Sequence, residues 1–290
     1  AIVATGRNIP LIFASSTQAE SDTLYGQSKR AAEQIVEGYA TETGNHAVIY
    51  RLPGVFGKWC KPNYNSVVAT FCHNIARDLP IQVNDAEATL QLVYIDDVVD
   101  EFLRVLKDVQ LGLVWSKIKQ TFTITLGELS VQITAFKNCR TTLISERVGT
   151  GLTRALYATY ISYLQPEQFV YDIPIYSDER GIFAEMLKTA DSGQFSFFTV
   201  HSGVTRGSHY HHSKTEKFLV VSGVVRMRFR QLITGETFEV TVSNDKAQVV
   251  NSIPGWVHDI TNVGASEAIV MLWANEVFDK QKPDCIPCKV

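Results

Sequence analysis

Gly203-Val204-Thr205-Arg206-Gly207-Ser208-His209-Tyr210-His211-His212-Ser213-Lys214-Thr215-Glu216, closed by Gly223 and answered downstream by Pro254-Gly255-Trp256-Val257-His258 and Asn262, decides how this chain is read. Three imidazoles and one carboxylate make a borderline-hard donor set, suited to a divalent first-row metal such as Zn²⁺. Side chains on a strand alternate between faces, so His209 and His211 share one face while Tyr210 and His212 turn outward. Glu216 and His258 are expected to arrive on neighbouring strands. A His-x-His pair is weak on its own, because surface histidine pairs are common. The full spacing outweighs the plain alternative of polar residues lining a β structure.

The surroundings agree with a β framework. Phe195–Val200, Phe218–Val221, Val224–Phe229, Phe238–Val242 and Ile269–Trp273 are short β-branched and aromatic runs punctuated by Gly, Asn, Asp and Pro. That texture predicts an all-β sandwich or barrel from about residue 165 onward. Upstream the pattern changes to alternating strand and helix. Leu11-Ile12-Phe13 and His46–Arg51 read as buried strands. Gly26–Thr43, Ser66–Arg77 and Ile95–Leu106 carry helical spacing, with Gly44 as a stop, and Thr125–Arg140 and Leu156–Leu164 close the unit. This is the order of a doubly wound α/β sheet. Two domains are expected, 1–164 and 165–290.

Composition removes several classes. The chain has 290 residues, 45% of them hydrophobic and 20% charged, which excludes a disordered tail or a coiled-coil rod. A net charge of −3 without a basic cluster argues against nucleic acid as a partner. No apolar run approaches a membrane span, and the start has no signal-peptide pattern. Five scattered cysteines predict a reducing cytoplasm; Cys285-x-x-Cys288 lacks the second pair of a zinc site.

Tyr25-Gly26-Gln27-Ser28-Lys29 places a phenol and an ammonium at i and i+4, opening a helix just after a Ser15-Ser16-Thr17 strand end. A nearby lysine favours the phenolate, which makes the tyrosine a usable proton donor or acceptor for a carbonyl/alcohol pair. With Arg51-Leu52-Pro53-Gly54-Val55-Phe56-Gly57 and Leu92-Val93-Tyr94-Ile95-Asp96-Asp97-Val98, the segment from residue 1 to about 140 resembles the extended short-chain dehydrogenase/reductase family. The resemblance implies a Rossmann-like domain in which Tyr25 donates the proton, Lys29 activates it and contacts the cofactor ribose, and Ser16 anchors the carbonyl. Gly54 stands where that family has Asn. The family's GxxGxxG fingerprint is absent: 24 residues precede Tyr25, Gly6 is the only glycine among them, and a nucleotide-binding βαβ unit needs roughly 30. An incomplete Rossmann-like domain is therefore expected, whose NADPH binding needs an N-terminal segment not in this sequence.

The histidine constellation resembles the two motifs of the cupin family, with Pro254 one residue nearer Gly255 than usual. The implied fold is a β barrel with His209, His211, Glu216 and His258 as metal ligands. Asp178–Glu185 and Gly203–His209 also resemble the deoxysugar 3,5-epimerase branch, in which the histidine matching His209 is a base and no metal is needed. We assign His209 to the metal and leave the base open. Arg180 and Arg206 are candidates to grip a nucleotide-sugar diphosphate, since guanidinium is bidentate; ordinary salt bridges are the alternative. As a whole, the chain resembles the bifunctional epimerase/reductases of capsular polysaccharide synthesis. These are implied to invert C3 of a UDP-4-keto-6-deoxy-N-acetylhexosamine and then reduce C4 with NADPH, giving UDP-2-acetamido-2,6-dideoxy-L-talose. A homodimer is the expected assembly. The rival reading is a non-catalytic scaffold or ligand-binding module.

Overall fold

The computed structural model describes residues 2–107, 111–173, 175–178, 181–184, 187–189, 193–276 and 281–290, with side chains left aside at 175–178, 181–184, 188–189 and 194–196. The chain forms two compact units, residues 1–56 with 85–126 and residues 57–84 with 127–290. The second unit thus includes helical segments as well as the β structure.

In the first unit, strand β1 (Leu11–Ser16) leads through helix α1 (Leu24–Thr43) to β2 (Ala47–Leu52), followed by β3 (Gly54–Phe56). Then come β4 (Thr89–Tyr94), helix α2 (Ile95–Leu106), β5 (Leu113–Ser116) and β6 (Phe122–Thr125). Strands β1, β2 and β5 pair in parallel in that order, and β3 pairs parallel and β6 antiparallel with β4. Alternation along β2 feeds two cores. Val48, Tyr50 and Leu52 pack with Val98 and Val105 of α2, while Ala47 and Ile49 pack with Val36 and Ala40 of α1. A sheet covered on both faces is what makes β2 read as a continuous apolar run.

Helix α1 begins where the Thr23 hydroxyl accepts the Gly26 N–H at 3.1 Å. A Cβ at Gly26 would collide with the Gln18 and Ser21 backbone carbonyls, so glycine is what lets α1 pack against the short 3₁₀ turn Thr17–Glu20. Glu33 of α1 is buried, bonded to Arg51 of β2 at 2.7 and 2.9 Å and to the Ser15 hydroxyl. Those Arg51 bonds hold the Glu33 carboxyl below its ordinary value against the opposing effect of burial.

In the second unit, helix Val67–Ala76 packs on α4 (Gly151–Ile161), and α3 (Leu126–Thr142) precedes it. Ten strands follow in two antiparallel sheets: β7 (Val170–Asp172), β8 (Gln194–Val200), β9 (Thr205–Tyr210), β10 (Glu216–Ser222), β11 (Val224–Gln231), β12 (Thr237–Ser243), β13 (Gln248–Asn251), β14 (Trp256–Asn262), β15 (Ala268–Ala274) and β16 (Ile286–Pro287). One sheet runs β8-β15-β10-β13-β7 and the other β12-β11-β14-β9-β16. The cupin-type region is therefore a sandwich of two five-stranded sheets; no continuous barrel ladder is present among the described residues. Val225, Met227 and Phe229 of β11 point into the core while Arg226, Arg228 and Arg230 point away. Phe169 fills the centre, edge-on to Trp256 at 4.9 Å and to Phe229 at 5.8 Å.

Candidate metal centre and candidate reductase site

His209 lies on β9 directly opposite His258 on β14. The register slips between Gly207 and His209, and Ser208 has a left-handed φ of 61°, so a bulge aims His209 into the sandwich. His211 lies one residue past β9. Glu216 does not sit on a neighbour of those strands, as the sequence reading has it: it opens β10 in the facing sheet. Its carboxylate therefore meets the histidines across the interior. Tyr210 and His212 do turn away, ring to ring at 5.4 Å, with His212 exposed.

One ligand atom from each of His209, His211, Glu216 and His258 lies within 4.8 Å of all the others. Glu216 Oε2 is 3.2 Å from His211 Nε2 and 3.5 Å from His258 Nε2, and Oε1 is 2.7 Å from Lys214 Nζ. Burial alone would raise the Glu216 carboxyl, but His211 and His258 hold it well below the usual carboxylate range. Burial, with His258 and His211 as neighbours, pushes His209 down to about 4, so it stays a neutral donor. Both ring nitrogens of His258 are buried with no hydrogen-bond partner. Orphaned buried donors and acceptors are costly. A divalent ion accepting the lone pairs would relieve His258 and neutralise Glu216, so the donor set fits a metal such as Zn²⁺.

The cluster borders a cavity of about 340 Å³ whose apolar walls include Phe197, Phe198, Phe218, Met227 and Leu272. Arg206 lines the same cavity; its guanidinium lies 5.3 Å from the Phe198 ring centre and donates to the Thr199 carbonyl at 2.9 Å. It is held by a ring and a backbone oxygen rather than by a carboxylate. Arg180 lies outside the described residues.

Ser252 and Arg154 support the site without any signal in the sequence. Glu216 N–H donates to Ser252 Oγ at 2.8 Å, and Gly255 N–H donates to the His211 carbonyl at 3.0 Å. Gly255 has φ 79°, and a Cβ there would come within 2.9 Å of the Trp59 ring, so glycine is needed where the chain passes closest to His211. Arg154 of α4 donates to Ser213 at 2.5 Å and to Glu276 at 2.8 Å. Cys285 and Cys288 are free thiols bracketing β16.

In the α/β unit, Ser16 ends β1 and Tyr25 and Lys29 lie on the first turns of α1. Ser16 Oγ accepts the Gln18 N–H at 3.1 Å. Lys29 Nζ donates to the Ala14 carbonyl at 3.0 Å and lies 5.8 Å from the Tyr25 ring centre. Tyr25 is 50% exposed, and its hydroxyl has no protein partner among the described residues. Tyr25 and Lys29 thus lie on the helix that packs against β1, the strand that Ser16 ends.

Residues 4–115 match the NAD dependent epimerase/dehydratase family and residues 176–286 match the polysaccharide biosynthesis C-terminal domain. The whole chain is 55% identical to a Pseudomonas aeruginosa protein named UDP-2-acetamido-2,6-beta-L-arabino-hexul-4-ose reductase, over 290 residues and 78% of that protein. The crystal structure of the capsular polysaccharide assembling protein CapF from Staphylococcus aureus matches all of this chain and 79% of its own, at 41% identity and a TM-score of 0.62. This chain belongs to the CapF-like family. A further CapF structure, with the inhibitor 3-isopropenyl-tropolone, covers 98% of this CapF-like chain and 80% of its own, at 39% identity and a TM-score of 0.56. The pairing of an epimerase/dehydratase-type segment with a polysaccharide biosynthesis C-terminal domain fits that membership. No helix among the described residues is long and apolar enough to cross a membrane.

Proposed function

We propose that this CapF-like chain is a bifunctional UDP-sugar enzyme of surface polysaccharide synthesis. Its sandwich inverts C3 of a UDP-4-keto-6-deoxy-N-acetylhexosamine, and its α/β unit reduces C4 to give UDP-2-acetamido-2,6-dideoxy-L-talose. The observation that carries this reading is the buried His209, His211, Glu216 and His258 cluster opening on an aromatic-walled cavity that also holds Arg206. The 55% identity to a UDP-sugar reductase supports the second half.

The chemistry is self-consistent. A 4-ketone acidifies the C3 proton; a base removes it, the electron pair delocalises onto the ketone oxygen, and the proton returns on the other face. No electrons are gained or lost. The same ketone is then the acceptor in the second step. NADPH, when bound, would supply the hydride for C4, and the Tyr25 phenol gives its proton to the C4 oxygen. Lys29 stabilises the resulting phenolate, and Ser16 orients the carbonyl. A divalent ion held by His209, His211, Glu216 and His258 would supply Lewis acidity there. Phe197, Phe198 and Phe218 exclude water from the sugar, and Arg206 with Arg180 meets the diphosphate. On this reading the enzyme works as a cytoplasmic homodimer.

Incubating the purified protein with the UDP-4-keto sugar and NADPH tests it. Talo-configured UDP-sugar is expected. Reduction of the substrate without C3 inversion, or no conversion by folded, metal-loaded protein with its complete nucleotide-binding segment, would overturn the proposal.

A further inference from the structure

We propose that the C-terminal strap, residues 284–288, is a positioning element for the metal centre, with Asp284 as its key residue. The inference rests on the metal reading of the cluster and extends it to a segment that supplies no ligand. Asp284 acts at two points. Its backbone carbonyl oxygen meets His211 Nδ1. A carbonyl only accepts, so Nδ1 must carry a hydrogen, and Nε2, 3.2 Å from Glu216 Oε2, is the ring nitrogen left to bind a metal. The ligating nitrogen is thus selected from outside the cluster.

The Asp284 carboxylate is spent on the backbone. Oδ1 accepts the His212 N–H at 2.8 Å, and Oδ2 accepts the Ser213 and Lys214 N–H groups at 2.8 and 2.7 Å, with the Ser213 hydroxyl at 3.1 Å. Residues 212–215 carry the chain from one sheet to the other, and they set the separation of His211 from Glu216. Three successive N–H groups converging on one carboxylate form an anion nest that fixes this turn. The strap is itself anchored: Ile286 and Pro287 pair with Tyr210 and His209, and Cys288 N–H donates to the Ser208 carbonyl at the bulge. Arg230 holds the Lys289 carbonyl at 2.6 Å. One short segment therefore touches the bulge aiming His209, the ring of His211 and the turn leading to Glu216.

Two measurements test this on the full chain and on Asp284→Ala, Asp284→Asn and a chain ending at 283. In metal-free protein, long-range ¹H–¹⁵N correlations should show a hydrogen on His211 Nδ1, and the shortened chain should lose that preference. By chelator competition, Asp284→Ala should weaken Zn²⁺ binding about 10–100-fold, the range typical of outer-shell partners. Asp284→Asn keeps one acceptor oxygen and should fall between, which separates positioning from failure to fold. An Nε2–H tautomer in the unaltered chain overturns the proposal whether or not metal binds. So does Zn²⁺ affinity that stays within about threefold in Asp284→Ala and in the shortened chain. Absence of Zn²⁺ binding by the unaltered chain, with the hydrogen present on Nδ1, instead defeats the metal reading and this inference with it.

Discussion

In the sandwich, four ligand atoms lie within 4.8 Å of one another, and the chain around them is tied down by Ser252, Gly255, Arg154 and Asp284. In the α/β unit, Tyr25 stands half exposed with a free hydroxyl, and Lys29 rests on the Ala14 carbonyl. The contrast reflects what each site must accommodate. Converging buried donors repel one another unless an ion sits among them, so the protein must hold them rigidly against that cost. A reductase corner has to admit both a nicotinamide and a sugar ketone, and its reactive groups are completed only when those ligands bind.

The largest effects separate the two sites. Glu216→Ala or His258→Ala should abolish bound metal, which elemental analysis of protein purified without added metal reads directly. Unchanged metal content in both His211→Ala and His258→Ala would break the assignment. Tyr25→Phe removes the proton donor and should cut ketone reduction by roughly 10²–10⁴-fold in protein with its complete nucleotide-binding segment, leaving metal content intact. A parallel loss of metal in Tyr25→Phe would mean that the two sites are not separable.

Smaller effects sharpen the difference in rigidity. Gly255→Ala puts an L-residue at φ 79° and a methyl against Trp59, so thermal unfolding should show a loss of roughly 1–3 kcal/mol. Arg154→Met removes the link from α4 to Ser213 and Glu276. Its ion pair is partly exposed, 32% at Arg154 and 22% at Glu276, so the stability cost should be only about 1 kcal/mol, with faster metal loss to a chelator as the more sensitive signal.

The smallest effect lies in the α/β unit. Arg51 holds the Glu33 carboxyl below its ordinary value of 4.5. Because the folded pKa is depressed, the contribution is fully present above about pH 4.5 and disappears as pH falls through the lowered value. Urea midpoints measured between neutral and acid pH should therefore fall more steeply in the unaltered chain than in Glu33→Gln. Equal slopes would show that Glu33 contributes nothing through its charge.

Much of this was legible in the sequence because it is local. Helix α2 runs over Ile95–Leu106 as its apolar spacing predicts, and the runs around Val224–Phe229 and Ile269–Trp273 lie on strands. The grouping of His209, His211, Glu216 and His258 was legible because ligand chemistry constrains residue type and spacing together. What escaped was set by pairing between distant strands. Nothing in His211-x4-Glu216 says that the chain changes sheets between them, and nothing before Cys285 marks Asp284 as the residue that fixes this turn. The bulge at Ser208 hides inside a period-2 pattern. The helical segment 127–164 falls in the same compact unit as the sandwich, tied to it where Asn275, Ser213 and Glu276 bond to Val148 and Arg154.

The most direct test of the central claim, that the sandwich carries redox-neutral C3 chemistry independent of the reductase corner, is solvent exchange. The UDP-4-keto sugar is incubated in D₂O with metal-loaded protein and no nucleotide cofactor, and the C3 proton is followed by NMR. Its signal should disappear with unaltered protein and with Tyr25→Phe alike. A C3 signal that persists with folded, metal-loaded protein would contradict it.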